Sequence, residues 1–408
     1  MLNDPGRFFP APIGVSRPVA TDLLDEAARQ YAARYGVSQE TALARLREQG
    51  RLGGLQADLR ARLGDGFGQL SFDNERGMVK VLLSPSGDER RAREVLAEHG
   101  VDDAIYARSA WSARELDEAT TELARQLAPQ VEAGTVAIRQ VADDGLVVAV
   151  DPDAEAPSLT AARRAAGAAT VEPKLVREEV SRPQAAACTG PYCDPPFHAG
   201  LYYHADGGGS CSAGFTAYVS GSSAQYTLTA GHCVSVPNWP NPGRRNWTVY
   251  GDGVTGVWIS QDLGGYYNGT PGTPDGGVIW HTNPSFPTYP AIRTYGWTWA
   301  SYPVYGTDNA TLRTWVCKSG GRTQSVQCGT VTSTNNGGGQ FLFDTACTMG
   351  GDSGGPIFNP ANLYALGITA TLYNTPLDGP CTSSTVTGGE PVTRATSSLG
   401  LSGVSVTP

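Results

Sequence analysis

The segment around Ser353 carries the strongest chemical signal in this chain of 408 residues. Ser353 lies in the run Gly-Gly-Asp-Ser-Gly-Gly-Pro at positions 350–356, and this glycine density predicts a turn whose backbone N–H groups converge on a small anion. A serine hydroxyl is a poor nucleophile at neutral pH, so it needs a neighbouring base. The pattern therefore predicts a nucleophilic serine and directs attention to the histidines.

His232 is the candidate base among the five histidines of the chain. It follows Leu-Thr-Ala-Gly, at the end of a predicted strand, and precedes Cys233, which could pin its loop. The other histidines are interpreted as solvated or packed side chains: His99, His198, His204 and His281. No second cluster of ligands lies at zinc-like spacing from His232 and Cys233, so neither a metal nor any other cofactor is expected.

A base of this kind needs an acceptor that fixes its tautomer and stabilises the imidazolium. Asp275 directly precedes the apolar run Gly277–Trp280 and falls between His232 and Ser353 in the chain. Asp252 and Asp262 are rival acids in the same interval, although both lie in glycine-rich, turn-like surroundings where an aspartate usually caps its own backbone. Asp275 is therefore the predicted orienting carboxylate.

From Gly200 onward, short β-rich runs separated by Gly, Asn and Pro must position these residues. Many short strands with such punctuation indicate an antiparallel barrel or sandwich, and a short helix is expected at Pro391–Leu399. The predicted strands are Thr216–Val219, Gln225–Thr229, Trp247–Tyr250, Val254–Ile259, Gly277–Trp280, Thr311–Cys317, Ser325–Thr332, Gln340–Phe343 and Tyr364–Thr371.

The motifs Thr-Leu-Thr-Ala-Gly-His-Cys and Gly-Gly-Asp-Ser-Gly-Gly-Pro, in that order with an acid between them, resemble chymotrypsin-like serine peptidases of the bacterial streptogrisin and α-lytic branch. The resemblance covers residues 205–406. It implies an all-β catalytic domain of two six-stranded antiparallel β-barrels. It also implies that Ser353 is the nucleophile, His232 the general base and acid, and Asp275 the orienting carboxylate.

The same resemblance assigns supporting roles. The N–H groups of Gly351 and Ser353 would form the oxyanion hole, and Asp352 would be a buried structural acid. In this branch the partner of that acid is usually an arginine that follows a cysteine. This chain has Lys318 at the corresponding position, and Lys318 either pairs with Asp352 or is solvated. The implied disulfides are Cys211–Cys233, Cys317–Cys328 and Cys347–Cys381, and elimination leaves Cys188–Cys193 as a fourth.

The substrate pocket departs from the pattern of the branch. Relatives carry Ser-Gly-Gly where this chain has Ala370, Thr371 and Leu372, on the strand that faces the substrate. The segment with Thr348 and Met349 would complete the wall of the substrate pocket. A leucine in place of a glycine narrows the pocket, and Cys347 aligns where an acid would bind Lys or Arg. We therefore expect small or medium apolar side chains before the scissile bond, although the loop 373–380 could redirect the wall.

The N-terminal half predicts a compact α+β unit, residues 21–150, after an extension of residues 1–20. Helices are predicted at Asp22–Tyr35, Ser38–Leu63, near Glu89–His99 and at Ser112–Val131. Hairpins are predicted at 68–83 and 135–150. Residues 151–187 are interpreted mainly as a linker with the processing region, and 188–408 as the protease domain. The family resemblance implies that this unit is a pro-domain that assists folding and inhibits until cleavage between Pro157 and Cys188.

Composition separates the same two halves. Residues 1–187 hold 23 Lys/Arg, 29 Asp/Glu and no Cys, whereas residues 188–408 hold 7, 10 and all eight Cys. Neither half has a basic run that could neutralise a series of phosphates, so nucleic acid is not an expected partner. The cysteines are even in number and confined to the C-terminal half, which favours disulfides and secretion. Residues 1–20 lack the pattern of a signal peptide, so two routes stay open: a signal that was removed, or another route of export.

No stretch approaches the roughly 20 apolar residues of a membrane span, so no membrane partner is expected. We expect a monomer whose partners are protein or peptide substrates and its own pro-domain. Two alternatives remain: a catalytically inactive pseudo-protease that acts as a binding module, and a serine esterase of the α/β-hydrolase type. The esterase class places its residues in the order Ser, acid, His, whereas the order here is His, Asp, Ser.

Overall fold

The computed structural model describes residues 20–143, 145–178, 180, 197–205, 210–234, 246–250, 256–266, 273–281, 288–294, 301–344, 347–373 and 385–407. The N-terminal half contains both helices and strands. The helices are α1 (Ala20–Tyr35), α2 (Gln39–Gln49), α3 (Leu52–Leu63), α4 (Glu89–Glu98), α5 (Ala113–Gln126), α6 (Ala128–Glu132) and α7 (Ala156–Ala168). The strands are β1 (Phe67–Asp73), β2 (Met78–Leu83), β3 (Ala104–Arg108), β4 (Val136–Val141), β5 (Gly145–Val150) and β6 (Lys174–Arg177).

Two modules of the same connectivity form this half. In each, an antiparallel hairpin is followed by a helix and then by a strand parallel to the second strand of the hairpin, giving the sheets β1-β2-β3 and β4-β5-β6. Ser38 caps α2 through its side chain, and Ser112 forms a capping box with Glu115 at the start of α5. The predicted helices and hairpins are therefore present, with Ser38–Leu63 divided into α2 and α3.

Residues 151–187 differ from the linker that the sequence predicts. They contain helix α7 and strand β6, and β6 extends the second sheet. Alanines form the buried side of α7, namely Ala162, Ala165 and Ala166. Alanine has the highest helix propensity but contributes little apolar contrast, so the helix leaves no strong periodic pattern in the sequence.

In the part of the C-terminal half that the structure describes, the elements are strands and two short helices. The strands are β7 (Phe197–Ala199), β8 (Tyr202–Ala205), β9 (Ser210–Ser212), β10 (Thr216–Tyr218), β11 (Gln225–Ala230), β12 (Asn246–Tyr250), β13 (Gly256–Tyr266), β14 (Gly276–His281), β15 (Thr288–Arg293), β16 (Ser301–Pro303), β17 (Gly306–Thr307), β18 (Trp315–Gly320), β19 (Ser325–Ser333), β20 (Phe341–Asp344), β21 (Pro356–Phe358), β22 (Tyr364–Tyr373), β23 (Val386–Pro391) and β24 (Gly403–Val404). The helices are α8 (Gly231–Val234) and α9 (Val392–Ser398).

One closed barrel is present in this half. Six strands follow the order β22-β21-β18-β19-β20-β23, and β22 also pairs with β23, which closes the ring. The other large sheet has eight strands in the order β24-β10-β11-β14-β13-β12-β8-β9, and no pairing among its described residues joins its edges. The expected pair of six-stranded barrels is thus seen as one closed barrel beside an eight-stranded sheet.

The N-terminal half packs directly on the closed barrel. Tyr31 of α1 stacks edge-on against Trp315 of β18, with ring centroids 5.5 Å apart, and α1 and α2 share one buried apolar cluster with that barrel. Asn74 accepts from Tyr31 and Gln49 and donates to the carbonyl of Arg313 at 2.8 Å. Burial raises the pKa of Tyr31 to about 12, so its hydroxyl stays a donor in this contact.

Candidate active site

Strand register brings His232 and Asp275 together. In the ladder of β11 and β14, Ala230 lies opposite Gly276, so the chain leaving β11 meets the chain entering β14. His232 follows in α8, and Asp275 is the residue before β14. A side chain on Gly277 would lie 2.8 Å from the carbonyl oxygen of Ala230, so this close approach requires glycine.

Two hydrogen bonds join the acid to the base. The His232 ring Nδ1 lies 2.8 Å from Asp275 Oδ2, and the His232 backbone N–H donates to Oδ1 at 2.9 Å. Both side chains are buried, with 7% and 1% of their surfaces exposed. Because a carboxylate can only accept, Nδ1 carries the hydrogen and Nε2 presents its lone pair. Such a histidine is oriented to take a proton at Nε2.

The serine lies against the same loop through its backbone. Cys211 forms a disulfide with Cys233, the residue after His232, and Ser212 donates its N–H to the carbonyl of Ser353 at 2.7 Å. The Cys233 sulfur lies 3.9 Å from that carbonyl oxygen. Among the described residues, no hydrogen bond joins the Ser353 hydroxyl to the His232 ring, and such bonds often tighten only when substrate binds. The acid and base are therefore in direct contact, with the serine as their backbone neighbour.

The glycine-rich turn leaves two backbone donors available. Gly351 and Gly354 adopt φ of 105° and 85°, a region that favours glycine, and a side chain on Gly354 would lie 2.2 Å from Thr229 Oγ1. Within the described part of the chain, the N–H groups of Gly351 and Ser353 donate to no acceptor. These are the two groups expected to bind an oxyanion.

Asp352 is completely buried and accepts four hydrogen bonds. The Lys318 ammonium donates to Oδ2 at 2.7 Å, as does the backbone N–H of Met349 at 3.0 Å. Oδ1 accepts from the backbone of Arg322 and Thr323 at 3.1 and 2.9 Å. Burial lowers the pKa of Lys318, an effect that the attraction of Asp352 opposes. The lysine is thus buried and paired with the acid instead of solvated.

Replacing Lys318 with methionine is expected to lower the free energy of unfolding by about 3–5 kcal/mol, because Asp352 would keep a buried charge without its partner. Chemical denaturation of the purified protein measures this loss. Arg313 is a matched control, since its side chain is 41% exposed and Arg313→Met should change the same quantity by less than about 0.5 kcal/mol. Equal midpoints for Lys318→Met and wild type would show that the pair does not stabilise the fold.

The expected pocket residues lie next to the serine turn. Gly354 donates to the carbonyl of Thr369 on β22, and the residues that follow, Ala370, Thr371 and Leu372, are all buried. Thr348, also buried, pairs with a hydroxyl of β23, and Met349 is half-buried. Two partners that the sequence did not single out complete these contacts: Thr387, 2.6 Å from the Thr348 hydroxyl, and Gln340, which accepts from Thr371 at 2.9 Å.

The other candidates have separate surroundings. The side chain of His198 is buried, and burial lowers its pKa to about 3; His281 Nε2 lies 2.8 Å from the Thr227 hydroxyl. Asp262 lies on β13 opposite Ile279, and Asp252 is outside the described residues. His99 and His204 lie beside Asp58 and Ser210 respectively.

Two of the implied disulfides are present, Cys211–Cys233 and Cys317–Cys328. Cys347 is disulfide-bonded, and Cys381, Cys188 and Cys193 lie outside the described residues. One group of possible metal ligands occurs among the described residues, Cys211, His232 and Cys233. Since its two sulfurs are already bonded to each other, it offers no thiolate to an ion.

No family model matches the chain. Over 206 residues the chain is 32% identical to glutamyl endopeptidase 2 of Streptomyces griseus, a match that covers 48% of this chain and 93% of that protein. Over 175 residues it is 35% identical to serine protease 2 of Streptomyces fradiae, covering 41% and 89%. The solved protease A of Thermobifida fusca is 26% identical, with a TM-score of 0.39, and the match covers 52% of this chain and 98% of that one.

The matches to the two Streptomyces proteins extend over most of their lengths, and they involve about half of this chain. Along the chain the histidine comes first, the aspartate second and the serine third, which is the order in chymotrypsin-like peptidases. We conclude that the chain belongs to the bacterial chymotrypsin-like serine peptidases and is a serine endopeptidase.

Proposed function

We propose that the chain is the zymogen of a secreted endopeptidase that cleaves peptide bonds through an acyl-enzyme on Ser353, with His232 as base and Asp275 as its orienting acid. The observation that carries this proposal is the pair of hydrogen bonds that the Asp275 carboxylate accepts from the ring and the backbone of His232, beside the Ser353 turn. A buried carboxylate in this position keeps Nε2 ready to accept a proton and stabilises the imidazolium that results.

The reaction proceeds in two halves. The Ser353 oxygen attacks the substrate carbonyl carbon while its proton moves to His232 Nε2, and the resulting oxyanion is bound by the N–H groups of Gly351 and Ser353. His232 then gives the proton to the departing amine, which leaves the acyl group on Ser353. In the second half a water molecule loses a proton to His232 and attacks the ester carbon; the bond to the Ser353 oxygen then breaks, His232 returns the proton to that oxygen, and the acid product leaves.

The buried pocket residues support a preference for small or medium apolar side chains before the scissile bond. Leu372 is only 2% exposed and lies on β22, three residues after Thr369, whose carbonyl accepts a hydrogen bond from Gly354 of the serine turn. A glycine at this position would leave a deeper pocket. The relative in Streptomyces griseus is named a glutamyl endopeptidase, so cleavage after glutamate is the outcome to compare.

A peptide library that varies the residue before the scissile bond should give highest kcat/KM for Ala, Val or Leu. Leu372→Gly should raise kcat/KM for Phe relative to Ala by about tenfold or more, because each methylene that a pocket admits or rejects contributes 10- to 200-fold. Dominant cleavage by the wild-type enzyme after Lys, Arg, Trp or Glu would contradict the proposed pocket.

The contact between the two halves supports a pro-domain that assists folding and inhibits the enzyme until it is cleaved. A barrel with many long-range pairings folds slowly, and α1 and α2 share a buried apolar cluster with that barrel. Cleavage is proposed between Pro157 and Cys188. Because α7 and β6 fold with the N-terminal half, the bond cut should lie after Arg177.

Export fits the disulfides Cys211–Cys233 and Cys317–Cys328, since such bonds persist in an oxidising compartment. Over the described ranges, no helix has the length and apolar character needed to cross a membrane. The proposed partners are protein or peptide substrates and the pro-domain itself.

A further inference from the structure

Glu390 is a fully buried acid at the back of the candidate catalytic pair. It lies near the end of β23, with no exposed surface, and its Oε2 accepts the backbone N–H of Asp275 at 3.2 Å. Asp275 uses its side chain to hold His232, so Glu390 contacts the same residue through its main chain. The two acids are 115 residues apart in the sequence, and no motif links them.

Arg394 in turn holds Glu390. Arg394 lies in α9, four residues after Glu390, and its Nη1 is 3.1 Å from both carboxyl oxygens of Glu390. The same nitrogen donates to the carbonyl of Gly338 at 2.7 Å. A side chain on Gly339 would lie 2.5 Å from the guanidinium, so the approach of this turn to Arg394 requires glycine there. The carboxyl group of Glu390 is thereby fixed between Arg394 and Asp275.

A second contact places the start of β14 against α9. A side chain on Gly276 would lie 3.2 Å from Ala395, on the helix that carries Arg394. The residue after Asp275 thus packs on α9 while Asp275 itself is bound by Glu390. Asp275 and the residue after it therefore both pack against the segment formed by β23 and α9.

We propose that Glu390 is a positioning residue for catalysis, which holds the main chain of Asp275 so that its carboxylate keeps the His232 ring aligned. The inference rests on the proposed role of Asp275. Burying an acid is costly unless it is hydrogen bonded, and here each carboxyl oxygen has a partner. A displacement of about 1 Å in a catalytic group can cost about 100-fold in rate, so loss of the Asp275 acceptor should reduce kcat.

Ionisation of Glu390 supplies a readout that a purely structural role would not move. Burial raises the pKa of Glu390 to about 8, whereas the attraction of Arg394 opposes this rise. Among the described residues, the charged groups that face it are Arg394 on α9 and Asp275 before β14. Above pH 8 the ionised carboxylate of Glu390 accepts the Asp275 N–H more strongly than the protonated form does, and its negative charge favours the His232 imidazolium. The kcat should therefore increase as Glu390 ionises.

The experiment compares Glu390→Gln, Glu390→Met and a matched control, Thr396→Val, each expressed as the full chain. Thr396 is also buried, on α9, and its hydroxyl bonds only to carbonyls of its own helix. kcat and KM are measured from pH 5 to pH 10 and expressed per active site, so that unfolded protein does not count.

Glu390→Met should lower kcat by about 10- to 100-fold with KM within about twofold. Glu390→Gln keeps an acceptor oxygen and should retain most of the activity at pH 7. It should lack the alkaline rise of the wild type, which we expect to be about fivefold between pH 7 and pH 9. Thr396→Val should behave as wild type in both respects.

A wild-type kcat in Glu390→Met, or an unchanged pH profile in Glu390→Gln, would overturn the inference. If Glu390→Met does not fold, the profile of Glu390→Gln decides alone. Ser353→Ala, measured alongside, separates the two proposals: an active Ser353→Ala rejects the triad itself, whereas an inactive one with normal Glu390 variants rejects only the positioning role.

Discussion

Replacing Ser353 with alanine is expected to lower kcat/KM by about 10⁶-fold and to leave the chain at its full length. The first effect follows because the hydroxyl is the nucleophile, and the residues of such a unit fail together when one of them is removed. The second follows because we propose that the enzyme itself cuts the chain between Pro157 and Cys188, so an inactive variant stays uncut. Peptide hydrolysis and intact mass measure the two effects, and N-terminal sequencing of the wild type locates the cut.

Ser398→Ala is the control for this substitution. Ser398 lies at the end of α9, where its half-buried side chain donates to the carbonyl of Ala395 at 2.9 Å. This variant should be processed and should retain wild-type kcat/KM within about twofold, because its hydroxyl bonds within its own helix and has no part in the proposed chemistry. A processed and active Ser353→Ala protein would mean that another residue is the nucleophile.

Replacing Asp275 with asparagine should lower kcat/KM by about 10⁴-fold while the fold is kept. The asparagine oxygen can still accept the backbone N–H of His232, but the amide nitrogen would face Nδ1 and donate to it. The ring would then carry its hydrogen on Nε2, where the serine proton has to go. The loss should appear mainly in kcat.

Asp262→Asn is the matched control for the acid, because Asp262 lies on β13, next to β14, in the same sheet. It should retain activity within about twofold. If instead Asp262→Asn lost activity and Asp275→Asn kept it, the orienting acid would have to be reassigned.

The sequence predicts most of the candidate site because the chemistry is confined to short local runs. The turn around Ser353 is marked by its glycines, and His232 and Asp275 lie at the ends of strands that alternation and β-branched residues reveal. The register of Ala230 opposite Gly276 then explains why two residues 43 positions apart meet. Hairpins such as β1 and β2 are predicted for the same local reason.

Features that depend on long-range packing were missed or left open. Helix α7 buries alanines, which give no amphipathic contrast, so residues 151–187 resemble a linker in the sequence. The sequence alone allows a solvated Lys318, and only the folded chain places it on Asp352. Glu390 carries no signal at all, since its contact with Asp275 exists only when β23 and β14 are packed together.

The most direct test of the proposed triad is reaction of the processed enzyme with a fluorophosphonate, followed by mass spectrometry of its peptides. The account predicts one adduct per molecule, located on Ser353, with reaction slowed strongly in Asp275→Asn. A processed protein that forms no adduct, or forms it on a different residue, would contradict the account.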